Sequence, residues 1–330
     1  NYTRYRSNDM NDLITQLRKS YTADTIGILR EKYPEDELYL VVGTDMFLSF
    51  REWHEYKYLL DNCTLAVLSR ETDDRGEILS FKRSLENEDG ARIRLIEHEP
   101  LPMSSAEIRA MLPKAGGAEL LDDGVYSLII KNRWYAAKPE LRWLREKVRL
   151  YLTEKRARHV AGCEEQAVKL ARRWGADVYE AAEAGILHDI TKKLSDEEQL
   201  IMCDKYGIIL DAAERRNPRI LHARTGAALA RELFGIPDGI YSAIRWHTTG
   251  KPDMSLMEKI IYLADFTEPT RDFEGVEPLR KLCFDDIDRA MELGLRMSLE
   301  EIRSRGEDAY KDTVDAYQWY KKEQGGSATC

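Results

Sequence analysis

Four of the six histidines of this 330-residue chain fall inside one stretch, at His159, His188, His222 and His247. Each sits on or beside an apolar pattern of helical period. Asp189 follows His188 directly, and Asp265 sits on an apolar helical stripe one turn after Ile261. Imidazole and carboxylate are the ligand set for Zn, Fe, Mn or Mg. Groups this far apart in sequence meet only if several helices converge. The set therefore predicts a metal centre assembled from more than one helix.

Composition narrows the classes. An apolar fraction of 43% is enough for cores, and the length suggests about two domains. No apolar run approaches the ~18 residues that a bilayer crossing needs, and no signal peptide opens the chain. The chain starts at Asn1, not Met. Five cysteines, an odd number without a CxxC pair, fit a reducing cytoplasm better than a disulfide framework or a thiolate zinc site. A net charge of −9 argues against nucleic acid as a partner. A small polyphosphate substrate needs only a locally positive pocket.

Residues before about 135 alternate helical and strand-like runs. Thr22 to Lys32 reads as a helix, and Glu37 to Gly43 (ELYLVVG), Thr64 to Leu68 and Ile93 to Ile96 as buried strands. That alternation implies a parallel sheet with helical crossovers. The pattern changes at Ala136 to Glu140, and the expected domains are 1–136 and 137–330. Helices are expected over Leu141 to Lys155, Val160 to Trp174, Val178 to His188, Ala223 to Phe234, Gly239 to Trp246, Ser255 to Phe266 and Phe284 to Arg303. The Gly-Gly-Ser-Ala tail before Cys330 reads as disordered.

On this reading Val178, Ala182, Gly185 and Asp189 share a stripe whose small residues allow close helix approach. A carboxylate buried there is costly unless something compensates it, as a cation does. His159 and His222 are expected to open helices and His247 to end one. A single histidine near an apolar face is more often a core residue. Six groups in this order favour a site. Cys163, one turn after His159, fits either a place at the site or a small core position.

The order His, His-Asp, distant Asp resembles the HD superfamily of metal-dependent phosphohydrolases, and most closely its YqeK-type branch. The stretches RARHVAGCEEQAVKLARRWG, AAEAGILHDITKK, LHARTGAALARELFGI and AIRWHTTGKPDMSLMEKIIYLADFTEPTRDFEGV carry the match, from about Leu141 to Tyr320. The resemblance implies symmetrical hydrolysis of diadenosine tetraphosphate to two ADP, with iron at the site, manganese or zinc being alternatives. It makes His159, His188, Asp189 and Asp265 ligands of a principal ion, and His222 and His247 ligands of a second, with Asp189 bridging. Such ions lower the pKa of water towards about 7 and clamp phosphoryl oxygens. Asp189 and Lys192 are the catalytic candidates, Lys192 as a phosphate contact. Arg245, Thr248, Thr249 and Arg271 are substrate-binding candidates. Asp189 is followed by Ile190-Thr191-Lys192-Lys193 and not by the Glu-Asp of guanosine-tetraphosphate hydrolases, and no Gly-Tyr-Pro signature of the cyclic-dinucleotide branch occurs. A nucleotide sensor that binds ADP or GDP without turnover is the alternative.

The first half resembles nicotinate-nucleotide adenylyltransferases (NadD-like) in SYTADTIGILREKYPEDELYLVVGTDMFLSFREW, CTLAVLSR, MSSAEIRAML and LDDGVYSLIIKNRWY. The resemblance implies that Ser104, Ser105 and Arg109 serve the phosphates of ATP, at a helix N-terminus suited to anions. It also implies that Thr22, Asp45 and Trp53 line a nicotinate mononucleotide pocket; Trp53 reads equally as core. The family's opening Gly-Thr-Phe-Asp-Pro-x-His loop has no counterpart, and His54 and His98 lie elsewhere. The expected fold is a partial Rossmann-like α/β nucleotidyltransferase segment, truncated at its N-terminus, followed by an all-α HD domain. Adenylyl transfer is expected only in a complete, bifunctional form.

Overall fold

The computed structural model describes residues 21–68, 75–96, 104–211, 214–215 and 217–326. The chain divides into two compact units, Asn1–Ser104 and Ser105–Cys330.

In the first unit, helix α1 (Thr22–Lys32) precedes strand β1 (Tyr39–Gly43). Short helix α2 (Thr44–Leu48), helix α3 (Tyr56–Asn62), β2 (Thr64–Leu68), α4 (Arg75–Asp89) and β3 (Ile93–Ile96) follow. The strands form a parallel sheet in the order β1-β2-β3, with Val41 opposite Ala66 and Ala66 opposite Arg94. β2 is central, and Thr64 to Val67 are all buried, as expected for a strand covered on both faces. Phe47, Phe50, Leu59, Leu65 and Leu85 fill the core, and Phe47 meets Phe81 edge to face at 5.3 Å. The sheet bears out the alternating strand and helix pattern.

The second unit is helical. It comprises α5 (Ser105–Met111), α6 (Asp123–Asn132), α7 (Leu141–Arg149), α8 (Glu154–Trp174), α9 (Val178–Leu187), α10 (Asp196–Lys205), α11 (Leu221–Phe234), α12 (Asp238–Trp246), α13 (Leu256–Thr267), α14 (Val276–Asp285), α15 (Ile287–Ser304) and α16 (Lys311–Gly326). One core joins most of them, with Tyr126 and Ile130 of α6 among its buried members, and Cys203 of α10 packs in a smaller cluster with Leu210 and Leu221. The spatial division at 104/105 therefore falls earlier than the change of sequence pattern at 136/137. Arg133 adds to this: its guanidinium pairs with buried Glu183 and donates from Nε to the carbonyls of Phe234 and Gly235, both at 3.0 Å.

Several expected helix limits are corrected. The helix read as Leu141 to Lys155 stops at Arg149. Thr153 then caps α8, its Oγ1 accepting from Arg156 N at 3.3 Å. His159 consequently lies in the second turn of α8 and does not open a helix. The run read as Phe284 to Arg303 is two helices, because Asp286 caps α15 by accepting from Arg289 N at 3.0 Å. Ser255 is a cap and not a helical residue, exchanging bonds with Glu258 in a capping box. Gly325 and Gly326 of the expected tail lie in α16, and residues 327–330 fall outside the described residues. No helix among the described residues is long and apolar enough to cross a membrane.

Candidate metal centre

α8 and α9 cross where Gly185 faces Glu164. A Cβ at Gly185 would stand 2.8 Å from the Glu164 Cα, so only glycine permits this approach. The crossing sets His188, the C-cap of α9, beside His159 of α8. Asp189 follows in the turn beyond the helix end. His222 comes from the first turn of α11, His247 from the C-cap of α12, and Asp265 from the last turn of α13. Five elements thus deliver six side chains to one place.

The imidazoles are oriented from behind. His188 Nδ1 lies 2.7 Å from Gly185 O, His222 Nδ1 2.7 Å from Arg219 O, and His247 Nδ1 2.7 Å from Ile244 O. A carbonyl only accepts, so each Nδ1 carries a proton, and whenever the ring is neutral its Nε2 lone pair turns inward. His159 follows the same plan with a carboxylate, its Nδ1 lying 3.0 Å from Glu268 Oε1. Such outer partners fix the ring of a metal-ligating histidine.

The inward atoms divide between the two oxygens of Asp189. Oδ2 stands 3.6 Å from His159 Nε2 and 3.5 Å from His188 Nε2. Oδ1 stands 3.3 Å from His222 Nε2 and 3.7 Å from His247 Nε2. Asp265 Oδ1 is 3.0 Å from His159 Nε2. His222 and His247 bring their Nε2 atoms to 3.2 Å, and His159 and His188 to 3.4 Å. Lone pairs that close need a proton or a cation between them. His159, His188 and Asp265 form one group able to hold a metal, and His188, Asp189 and His247 another. The donor set fits a divalent cation.

Electrostatics agree. Burial works against charging Asp189, yet the His188 imidazole beside it holds its carboxyl well below the usual range. Asp265 is likewise held well below it, against burial, by His159 and His188. His188 is pushed well above the ordinary imidazole value: burial opposes the charge, but the Asp189 carboxylate beside it outweighs burial. His222 goes well below, through burial and the neighbouring Lys192 ammonium. A cation takes the place of a proton shared in such a cluster.

The structure gathers most of the expected residues. Lys192 Nζ lies 3.2 Å from both ring nitrogens of His222, and burial lowers its pKa. Thr248 Oγ1 is 3.1 Å from the Nε2 atoms of His222 and His247. Arg271 donates to Asp265 Oδ1 at 2.7 Å. Lys192, Thr248 and Arg271 line a cavity of about 610 Å³ that His247 and Asp265 also border. Two candidates are not on that wall. Arg245 stacks on Trp246 at 4.0 Å, its pKa brought down to about 10 by burial. The buried hydroxyl of Thr249 donates to Gly250 O at 3.1 Å. Cys163 is fully buried, and desolvation pushes its thiol up.

Two residues escaped the sequence reading. Arg156 donates from Nη1 to Asp189 Oδ2 at 2.8 Å, and Glu268 supports His159. Their signals are positional, since Arg156 stands three residues before His159 and Glu268 three after Asp265. Glu268 also fills the space above Gly162, where a Cβ would collide with its carboxylate.

The adenylyltransferase candidates belong to different units. Thr22 begins α1, Asp45 is exposed on α2, and half-buried Trp53 packs on Phe50 at 5.0 Å. Exposed Ser104 closes the first unit. Ser105 begins α5 in the second, where Arg109 lies over the Tyr135 ring at 5.2 Å.

Comparison with known proteins identifies the family. The HD domain family model matches residues 156–270, the stretch that carries all six side chains. The symmetrical bis(5'-nucleosyl)-tetraphosphatase of Bacillus subtilis is 38% identical over 176 residues, covering 52% of this chain and 92% of that protein. A Mycoplasma genitalium protein named "Probable nicotinate-nucleotide adenylyltransferase/Ap4A hydrolase" is 24% identical over 286 residues, covering 84% of this chain and 75% of its own length. A solved Clostridium acetobutylicum structure, described as a predicted HD superfamily hydrolase involved in NAD metabolism, aligns with a TM-score of 0.53 at 35% identity. It covers 55% of this chain and 96% of that one. The chain belongs to the HD-domain family of symmetrical bis(5'-nucleosyl)-tetraphosphatases, whose hydrolase unit is joined here to a nicotinate-nucleotide adenylyltransferase-like region.

Proposed function

We propose that the chain splits diadenosine tetraphosphate at its central anhydride and releases two ADP. His159, His188, Asp189 and Asp265 hold one divalent cation, and His222, His247 and Asp189 a second. Iron is the metal of this reading, with manganese or zinc as substitutes. The carrying observation is that imidazole Nε2 atoms face both oxygens of Asp189 from opposite sides, each ring fixed through Nδ1. When bound, divalent cations lower the pKa of water towards about 7 and neutralise charge on phosphoryl oxygens.

The chain's own groups do the rest. Asp189, kept ionised by His188, and Asp265, kept ionised by His159 and His188, set the negative charge of the site. Lys192 brings a cation against His222, and Arg271 brings another against Asp265, so the cavity wall offers positive charge to a tetraphosphate on two sides. Thr248 places a hydroxyl between His222 and His247, within reach of a phosphoryl oxygen. Residues 137–330 form the hydrolase segment of this reading. Residues 1–136 form an adenylyltransferase-like segment of this reading, with ATP and nicotinate mononucleotide as its ligands. Buried free thiols at Cys63, Cys163, Cys203 and Cys283 support a cytoplasmic setting.

The test is chromatography of products after incubating the chain with diadenosine tetraphosphate and ferrous or manganous ion. ADP alone is expected. ATP with AMP, or intact dinucleotide with every metal tried, would refute the reading.

A further inference from the structure

Two chemically different groups of residues line the cavity beside the histidines. One holds Arg271, anchored on Asp265, and Phe266, which meets Phe273 edge to face at 5.3 Å. The other holds Asn217, Arg219 and Tyr310. The two groups are linked to different oxygens of Asp189. Asp265 approaches His159 to 3.0 Å, and His159 faces Oδ2. The Arg219 carbonyl holds His222 at 2.7 Å, and His222 faces Oδ1 at 3.3 Å.

We propose that Arg219 and Tyr310 form a second nucleotide arm, so that a dinucleoside tetraphosphate lies across Asp189 with one nucleotide on each side. This rests on the hydrolase reading above. The Arg219 side chain is 67% exposed and pairs with Glu307 at 3.4 Å, a long solvent-facing pairing that a phosphate displaces at little cost. Its fork suits the oxygens of the distal phosphate. Tyr310 is half-buried, and its hydroxyl donates to Asn217 O at 3.2 Å, which pins the ring to the wall. A pinned aromatic face stacks a nucleobase of any kind. With equal nucleotides at both ends, the central anhydride falls at the seam that Asp189 bridges. A mononucleotide fills only one arm.

Equilibrium competition tests this on the whole manganese-loaded chain, using ADP and a methylene-bridged analogue of diadenosine tetraphosphate. The wild type should bind the analogue more tightly than ADP. In Arg219→Ala that preference should fall about tenfold, the worth of one charge-assisted hydrogen bond. Tyr310→Ala should lower it as well, while Tyr310→Phe keeps it because the ring remains. Circular dichroism checks the fold of each variant. An unchanged preference in both alanine variants, or a wild type that binds the analogue no better than ADP, overturns the second arm. A preference lost in the variants of a chain that hydrolyses no dinucleotide leaves the arm standing and removes the hydrolase reading. Release of ADP with an unchanged preference does the reverse.

Discussion

At the residue scale, six side chains matter less for their identity than for the direction of their donor atoms. A neutral histidine whose Nδ1 is tied to a carbonyl, or to the Glu268 carboxylate in the case of His159, has one free lone pair, and four such nitrogens are turned on two carboxylates. His188→Ala or Asp189→Ala should therefore abolish dinucleotide hydrolysis and lower the metal content measured by elemental analysis, while circular dichroism stays unchanged. Glu268 acts one step removed. It takes hydrogen bonds from His159 and from Thr270 N at 2.7 Å. Glu268→Gln should weaken metal affinity or activity by about 10–100-fold, the usual effect of losing an outer partner. Burial works against its charge, but Thr270 and His159 hold its carboxyl below the ordinary value of 4.5. The stabilisation from a depressed carboxylate is present above that value and is lost as pH falls through the folded one. In urea unfolding of the metal-free protein, wild type should exceed Glu268→Gln by about 1–3 kcal/mol at pH 7. The gap should narrow as pH drops below 4.5. A gap that is constant or widens in acid would contradict the assigned role.

At the element scale, the site depends on helices held closer than most residues allow. Gly185→Ala would drive a methyl into the Glu164 backbone. It should cost about 1–3 kcal/mol of stability, and it should impair metal binding because His188 and Asp189 follow on the same turn. The Arg133–Glu183 pair makes the segment after α6 part of the helical unit, with Glu183 only 1% exposed. Glu183→Ala should destabilise by about 3–5 kcal/mol, leaving Arg133 without its carboxylate partner. Denaturant titration reads both effects.

The candidate ligands were legible in the sequence because four imidazoles and two carboxylates recur on apolar helical patterns in one order, and the strands because short apolar runs between polar helices have one natural arrangement. Helix starts were less legible. Leu150 to Leu152 continues an apolar period that only the Thr153 cap interrupts, and Asp286 looks like any polar surface residue until its side chain caps α15. Arg156 and Glu268 were hidden for the same reason, since charged residues within a turn of a ligand resemble a solvated face. Arg245 was a substrate-binding candidate, but it lies over the Trp246 ring and is not among the residues that line the cavity.

At the scale of the whole molecule, two compact units share one chain, and only the helical one gathers His and Asp into a cluster among the described residues. A cation that binds the folded state alone adds stability by mass action, about 2.7 kcal/mol at one hundred times its dissociation constant. Chelation should therefore lower the melting temperature of the helical unit, and added manganese should restore it. The proposed chemistry stands or falls with Asp189 lying between two half-sites for a cation, one formed by His159, His188 and Asp265, the other by His222 and His247. Anomalous diffraction from crystals grown with manganese is the decisive experiment. Anomalous density is expected against Asp189, flanked by these imidazoles. Manganese bound elsewhere on the protein, with no density at Asp189, would contradict it.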